Sequence, residues 1–145
     1  MKLKQFPETL AVVRLPAGAE IPTWAEASSI FSITATATET SLVCAGRSVP
    51  TKVRHLKPLV AFEVEGPLEL TAVGILHDLL TPLKEDGIAV FVLSTFDTDW
   101  LLVHKNDADK AAEAWRRSGH TVAAAVPAKP QRSQAKSDQP RKPKK

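Results

Sequence analysis

Residues able to do chemistry are few in this chain, and they are unevenly spread. The densest group is Ser94-Thr95-Phe96-Asp97-Thr98-Asp99, in which three hydroxyls and two carboxylates surround one phenyl ring, with Gly74 upstream of it. Read as residue types alone, two aspartates in a turn are ordinary turn formers, because aspartate bonds its own backbone. Gly74 can equally serve close packing of a helix on a sheet, and Phe96 can equally be core. No Ser, His and Asp set forms a nucleophile elbow, no glycine-rich loop is built for phosphate, and Asp97 and Asp99 lack the partner acid that acid-base catalysis uses. No catalytic residue and no enzymatic activity are therefore expected. His55, His77, His104 and His120 have no metal-ligand spacing, and His77 beside Asp78 on a helix is not a site, so neither a metal nor a cofactor is expected. Cys44 is the single cysteine. It excludes an intramolecular disulfide and reads as a buried structural thiol in a reducing compartment such as the cytoplasm.

The elements that must position these residues draw on 145 residues, of which 43% are hydrophobic, enough for a compact core without metals or disulfides. The net charge of +3 is misleading: seven of the 19 basic residues follow Pro127, with only Asp138 opposing them. The body before it carries 12 basic and 15 acidic residues and is mildly acidic. From Pro127 to Lys145 there are four prolines and no Leu, Ile, Val or Phe, so residues 127–145 are expected to form a disordered basic tail. Nucleic acid is an unlikely partner except through that tail. The first residues, Met1 to Pro7, lack a following apolar stretch, and no run approaches the roughly 18 apolar residues of a spanning helix, so secretion and a membrane partner are disfavoured.

Strand patterns fill the first half. Leu10–Arg14 is a short apolar run, Pro22 suits the first turn of a short helix through Trp24–Ala27, and Phe31–Thr38 alternates apolar and hydroxyl residues as a half-buried strand. Glu39-Thr40 then connects to Ser41–Ala45 in a hairpin. In the second half Leu59–Val64 is a strand stopped by Gly66-Pro67. Val73, Leu76, Leu80 and Leu83 form a helical apolar stripe with Leu79 beside it, interrupted by Pro82 and stopped at Gly87. Ile88–Leu93 is apolar throughout, as for a central strand covered on both faces. Trp100–His104 returns beside it, a helix capped at Asn106 or Asp107 runs from Ala108 to Ser118, and Thr121–Ala124 is a last edge strand. The second half is strand, helix, strand, strand, helix, strand, and the first is a shortened version of it. Two α+β units with helices on one face are expected, paired with each other because each alone is marginal in size.

Val64-Glu65-Gly66-Pro67, the segment Val73-Gly74-Ile75-Leu76-His77-Asp78 through Ile88, and Leu93-Ser94-Thr95-Phe96-Asp97-Thr98-Asp99-Trp100 together resemble proteins of the tandem ACT-domain family. Within it they are similar to the arginine-sensing ACT proteins of the TOR pathway and their short bacterial relatives. The resemblance is dense over residues 60–125 and rests on element order over 8–58. It implies two ferredoxin-like βαββαβ modules: a shortened one in residues 1–58 and a full one in 59–126. It also implies an amino-acid-binding regulatory protein whose ligand sits between ACT modules. The residues implied to bind are Val73, Gly74, Ile75 and Leu76, facing Ser94, Thr95, Phe96, Asp97, Thr98 and Asp99. A helix start there can hold a carboxylate on its free amides, and Asp97 or, preferably, Asp99 can receive a cationic group. Asp99 favours a cationic amino acid, arginine or lysine. A homodimer and a regulated protein partner are the partners implied. The alternative is an ACT scaffold that dimerises without a ligand.

Overall fold

The computed structural model describes residues 1–66, 68–69 and 71–126. The basic tail lies outside the described residues. In chain order the elements are β1 (Lys2–Gln5), β2 (Leu10–Pro16), a 3₁₀ turn (Thr23–Ala25), β3 (Ser32–Ala35), β4 (Glu39–Ala45) and a second 3₁₀ turn (Gly46–Ser48). Then come β5 (His55–Val64), α1 (Ile75–Glu85), β6 (Phe91–Ser94), β7 (Asp99–His104), a third 3₁₀ turn (Lys105–Asp107), α2 (Ala108–Arg117) and β8 (Thr121–Ala123). The fold is α+β, as expected: eight strands share one sheet, antiparallel except where β8 lies parallel to β1. Among the described residues no helix is long and apolar enough to cross a membrane.

β5 is the organising strand. One edge pairs with β7 from Leu59–His104 to Glu63–Trp100. The other edge is shared, with β2 holding its first half and β1 its last. Both faces of β5 are covered, which explains why Leu59-Val60-Ala61-Phe62 is apolar without alternation. Val60, Phe62 and Val64 face α1 and α2 in a cluster with Leu79, Leu83, Leu101, Val103 and Trp115. Leu59 and Ala61 face the opposite side with Leu10, Val43 and Leu102. Trp115 links the layers: its ring meets Phe62 edge to face at 4.9 Å, and its Nε1 donates to the Leu79 carbonyl at 2.8 Å. Cys44 is buried under the first half of the sheet. Burial foremost, and the nearby Glu8 carboxylate second, push its thiol pKa up.

Several expectations are corrected. Ile88–Leu93 is not a central covered strand; only Phe91–Ser94 is extended, as an edge paired to β7 alone, with Phe91 exposed. The apolar run begins early because Ile88 belongs to the end of α1. Gly87 takes φ +68°, its amide donates to the Lys84 carbonyl, and the Ile88 amide donates to the Leu83 carbonyl. That arrangement closes a helix and buries the residue after the glycine. Val73 is not on the helical stripe: it precedes the helix and is 95% exposed, and the buried positions are Leu79, Pro82 and Leu83. Phe31–Thr38 contributes only Ser32–Ala35, an edge strand that is mostly exposed. The helix after Pro22 is a single 3₁₀ turn. β1 was not expected at all, yet Leu3 is fully enclosed in the main core.

The second half repeats the first in register. Leu10 opposes Ala45 in β2 and β4 as Leu59 opposes His104 in β5 and β7. Ser32 opposes Val43 in β3 and β4 as Phe91 opposes Leu102 in β6 and β7. The hairpin and the 3₁₀ turn after it recur 59 positions later. The first copy has one 3₁₀ turn where the second has α1, and nothing where the second has α2.

Candidate functional site

The turn between β6 and β7 is held by its own side chains. The Thr95 amide donates to the Thr98 carbonyl at 2.8 Å, and Thr95 Oγ1 both accepts from the Thr98 amide and donates to the Thr98 carbonyl, each at 3.2 Å. Thr98 is buried, and its hydroxyl donates to the Val64 carbonyl at the end of β5. Ser94 Oγ donates to Asp99 Oδ1 at 2.6 Å. All three hydroxyls of the run are therefore engaged within the protein. What the turn leaves open is the Asp97 carboxylate, the second oxygen of Asp99 and the ring of Phe96, which is 80% exposed.

Opposite the turn stands the start of α1. Gly74 takes φ +83° and ψ 2°, a left-handed conformation that only glycine adopts readily, and its carbonyl accepts the first helical bond from the Asp78 amide at 3.0 Å. No side chain caps this end. The amides of Ile75, Leu76 and His77 therefore have no partner inside the helix and lie in its positive field. The segment between β5 and α1 is pinned to the turn, since the Leu68 amide donates to the Asp97 carbonyl at 2.7 Å. A Cβ on Gly66 would lie 2.9 Å from that same carbonyl oxygen, so any larger residue forces the backbone there to shift.

Between these walls lies an open cleft of about 460 Å³. Gly74, Ile75 and Leu76 line it on the helix side, and Ser94, Thr95, Phe96, Asp97, Thr98 and Asp99 on the hairpin side. Nine of the ten residues named from the sequence thus come together; Val73 does not line the cleft. Leu68, Glu69, Ala72 and His77 also line it and were not anticipated. His77 follows once the helix is known to start at Ile75, because the third helical residue still presents a free amide. Glu69 and Ala72 belong to the connection between β5 and α1. Among the described residues the lining carries Glu69, Asp97 and Asp99 and no Lys or Arg, so it is electronegative on one side and faces the positive helix end on the other. A zwitterion with a second cationic group matches that polarity. Among the described residues, every one that lines the cleft falls between 68 and 99, in the second half of the chain.

The ACT domain family model matches residues 56–117. A second model, described as an N-terminal domain, matches residues 8–52. Among solved structures the chain is similar to protein Atu0741 from Agobacterium tumefaciens, with 37% identity and a TM-score of 0.81 over 86% of this chain and 93% of that one. It is also similar to VC0802 from Vibrio cholerae, a protein of unknown function described as a possible transport protein. That likeness has 16% identity and a TM-score of 0.67, covering 81% of this chain and 88% of that one. The regulatory subunit of aspartate kinase from Thermus flavus is similar at 7% identity and a TM-score of 0.57, over 81% and 96%. At these last two identities the likeness is one of fold. No curated protein matches the chain.

Proposed function

We propose, from the match of residues 56–117 to the ACT domain and from the cleft beside them, that the chain is a non-catalytic regulatory protein that binds a free amino acid between the start of α1 and the β6–β7 turn. The observation that carries this reading is the polarity of the cleft. The amides of Ile75, Leu76 and His77, which have no partner among the described residues, suit a carboxylate, and Asp97 and Asp99 suit an α-ammonium or a cationic side chain. The resemblance to arginine-sensing ACT proteins favours arginine or lysine. The in-register repeat supports division into a shortened module, residues 1–58, and a full module, 59–126. The cleft draws on the second module alone, so a ligand held between modules would need a second copy of the chain to cover its open side. The same apolar edge, β6 with Phe91 exposed, favours a second reading: a scaffold that dimerises without a ligand. A reducing, cytoplasmic setting fits the single buried thiol.

Thermal unfolding with each of the twenty amino acids tests the proposal. A ligand at a hundred times its Kd stabilises the folded state by about 2.7 kcal/mol, readily seen as a rise in Tm. Gly74→Asp is expected to abolish the rise, because a carboxylate at the cap competes for the free amides, and aspartate enters the left-handed backbone at less strain than most side chains. If no amino acid at millimolar concentration moves the Tm of the unaltered chain, the binding proposal is wrong. A dimer by light scattering that ignores every amino acid would then establish the scaffold.

A further inference from the structure

The two hairpins of the repeat act as an internal control. In the first, the Thr36 amide donates to the Glu39 carbonyl at 2.9 Å, and Thr36 Oγ1 accepts from the Glu39 amide at 3.1 Å and donates to the Glu39 carbonyl at 3.3 Å. These are the bonds that Thr95 and Thr98 make 59 positions later. The cross-strand pair closing each turn differs: Ala35 opposes Thr40 in the first, and Ser94 opposes Asp99 in the second. The first turn forms the same bonds without a hydroxyl at 35 or a carboxylate at 40. The Ser94–Asp99 bond is therefore not needed to make the turn, and it occurs only in the copy that faces a helix start across a cleft.

We propose that Ser94 is a positioning residue, whose hydroxyl holds the Asp99 carboxylate in the orientation that receives the ligand's cationic side chain. The inference rests on the amino-acid reading above. Ser94 Oγ occupies Oδ1 with a short bond to a charged acceptor. Among the described residues Oδ2 has no hydrogen-bond partner, and Asp99 lines the cleft half-buried. Without the hydroxyl, the carboxylate is free to rotate and hydrate, and a cation must order it on binding. The serine's single proton is committed to Asp99, so the hydroxyl has none to donate to a ligand.

Calorimetric titration of L-arginine and of its neutral isostere L-citrulline into the unaltered chain, Ser94→Ala, Ser94→Thr and Asp99→Asn tests this. The unaltered chain is expected to prefer arginine. Ser94→Ala should lower that preference about tenfold while leaving citrulline affinity within about twofold, since a bond to a charged group is at stake. Ser94→Thr should restore the preference, and Asp99→Asn should remove it altogether. A change of fold would move both ligands together, so their ratio isolates the positioning role. An unchanged ratio in Ser94→Ala overturns the role of Ser94 and leaves amino-acid binding standing. Absence of binding by the unaltered chain overturns both.

Discussion

Cys44 illustrates what a single side chain contributes when its chemistry is suppressed. Its thiol is fully enclosed, and burial above all, with the Glu8 carboxylate behind it, raises its pKa from the ordinary value. Below the thiol's unfolded pKa both states hold the proton and the group is neutral in its effect on pH dependence. Above it, the unfolded chain gives up its proton while the folded chain retains it, so stability falls as pH rises toward and through the raised folded value. Denaturant midpoints between about pH 8 and pH 10 are expected to decline more steeply for the unaltered chain than for Cys44→Ala, whatever their difference at neutral pH. Equal slopes would show that the thiol does not titrate with folding. That Cys44 is buried was legible from its place in an apolar run. The influence of Glu8 was not, because it depends on where the fold places the β1–β2 connection.

At the scale of elements, the site is made by a strand-to-helix connection fastened to a hairpin turn. Gly66 and the Leu68–Asp97 bond are the fastening. Gly66→Ala would place a methyl group 2.9 Å from the Asp97 oxygen, and both atoms are held by backbone, so one wall must shift. We expect a loss of about 1–3 kcal/mol in urea unfolding, the usual cost of overpacking, together with weaker ligand binding as the walls separate. A variant as stable as the parent would show that the connection relaxes freely. The elements themselves were largely readable from apolar spacing, and the turn at Ser94–Asp99 with them, while the helix start at Gly74 rested on the family resemblance. Two errors share one cause: apolar residues were credited to the nearest periodic pattern. Val73 lies outside the helix because Gly74 turns the chain left-handed, and Ile88 serves the helix end instead of the next strand. β1 was missed because Lys2–Gln5 offers one apolar residue, Leu3, and its reason to be extended is the distant edge of β5.

For the whole molecule, the repeat raises the question of whether there are one or two ligand sites per chain. The first copy has the hairpin, the Thr-bracketed turn and a left-handed glycine, Gly18 at φ +73°, after its first strand. It lacks the two features that give the second copy its polarity. In place of α1 it has the three-residue turn Thr23–Ala25, too short to build up an axial dipole, and in place of Asp99 it has Thr40, which is 3% exposed. The position is thus turned into the core and not toward a cleft. A carboxylate installed there would be desolvated without a partner, which costs stability without creating a site. Calorimetry is therefore expected to give one ligand per chain, and Ala35→Ser with Thr40→Asp is expected to lower the Tm and leave that stoichiometry at one. Two ligands per unaltered chain would mean that the shortened module binds through a surface unlike that of its partner. The first module also has a structural part: its strand β2 covers the half of the β5 edge that β1 leaves open, so the second module depends on it to complete the pairing along β5.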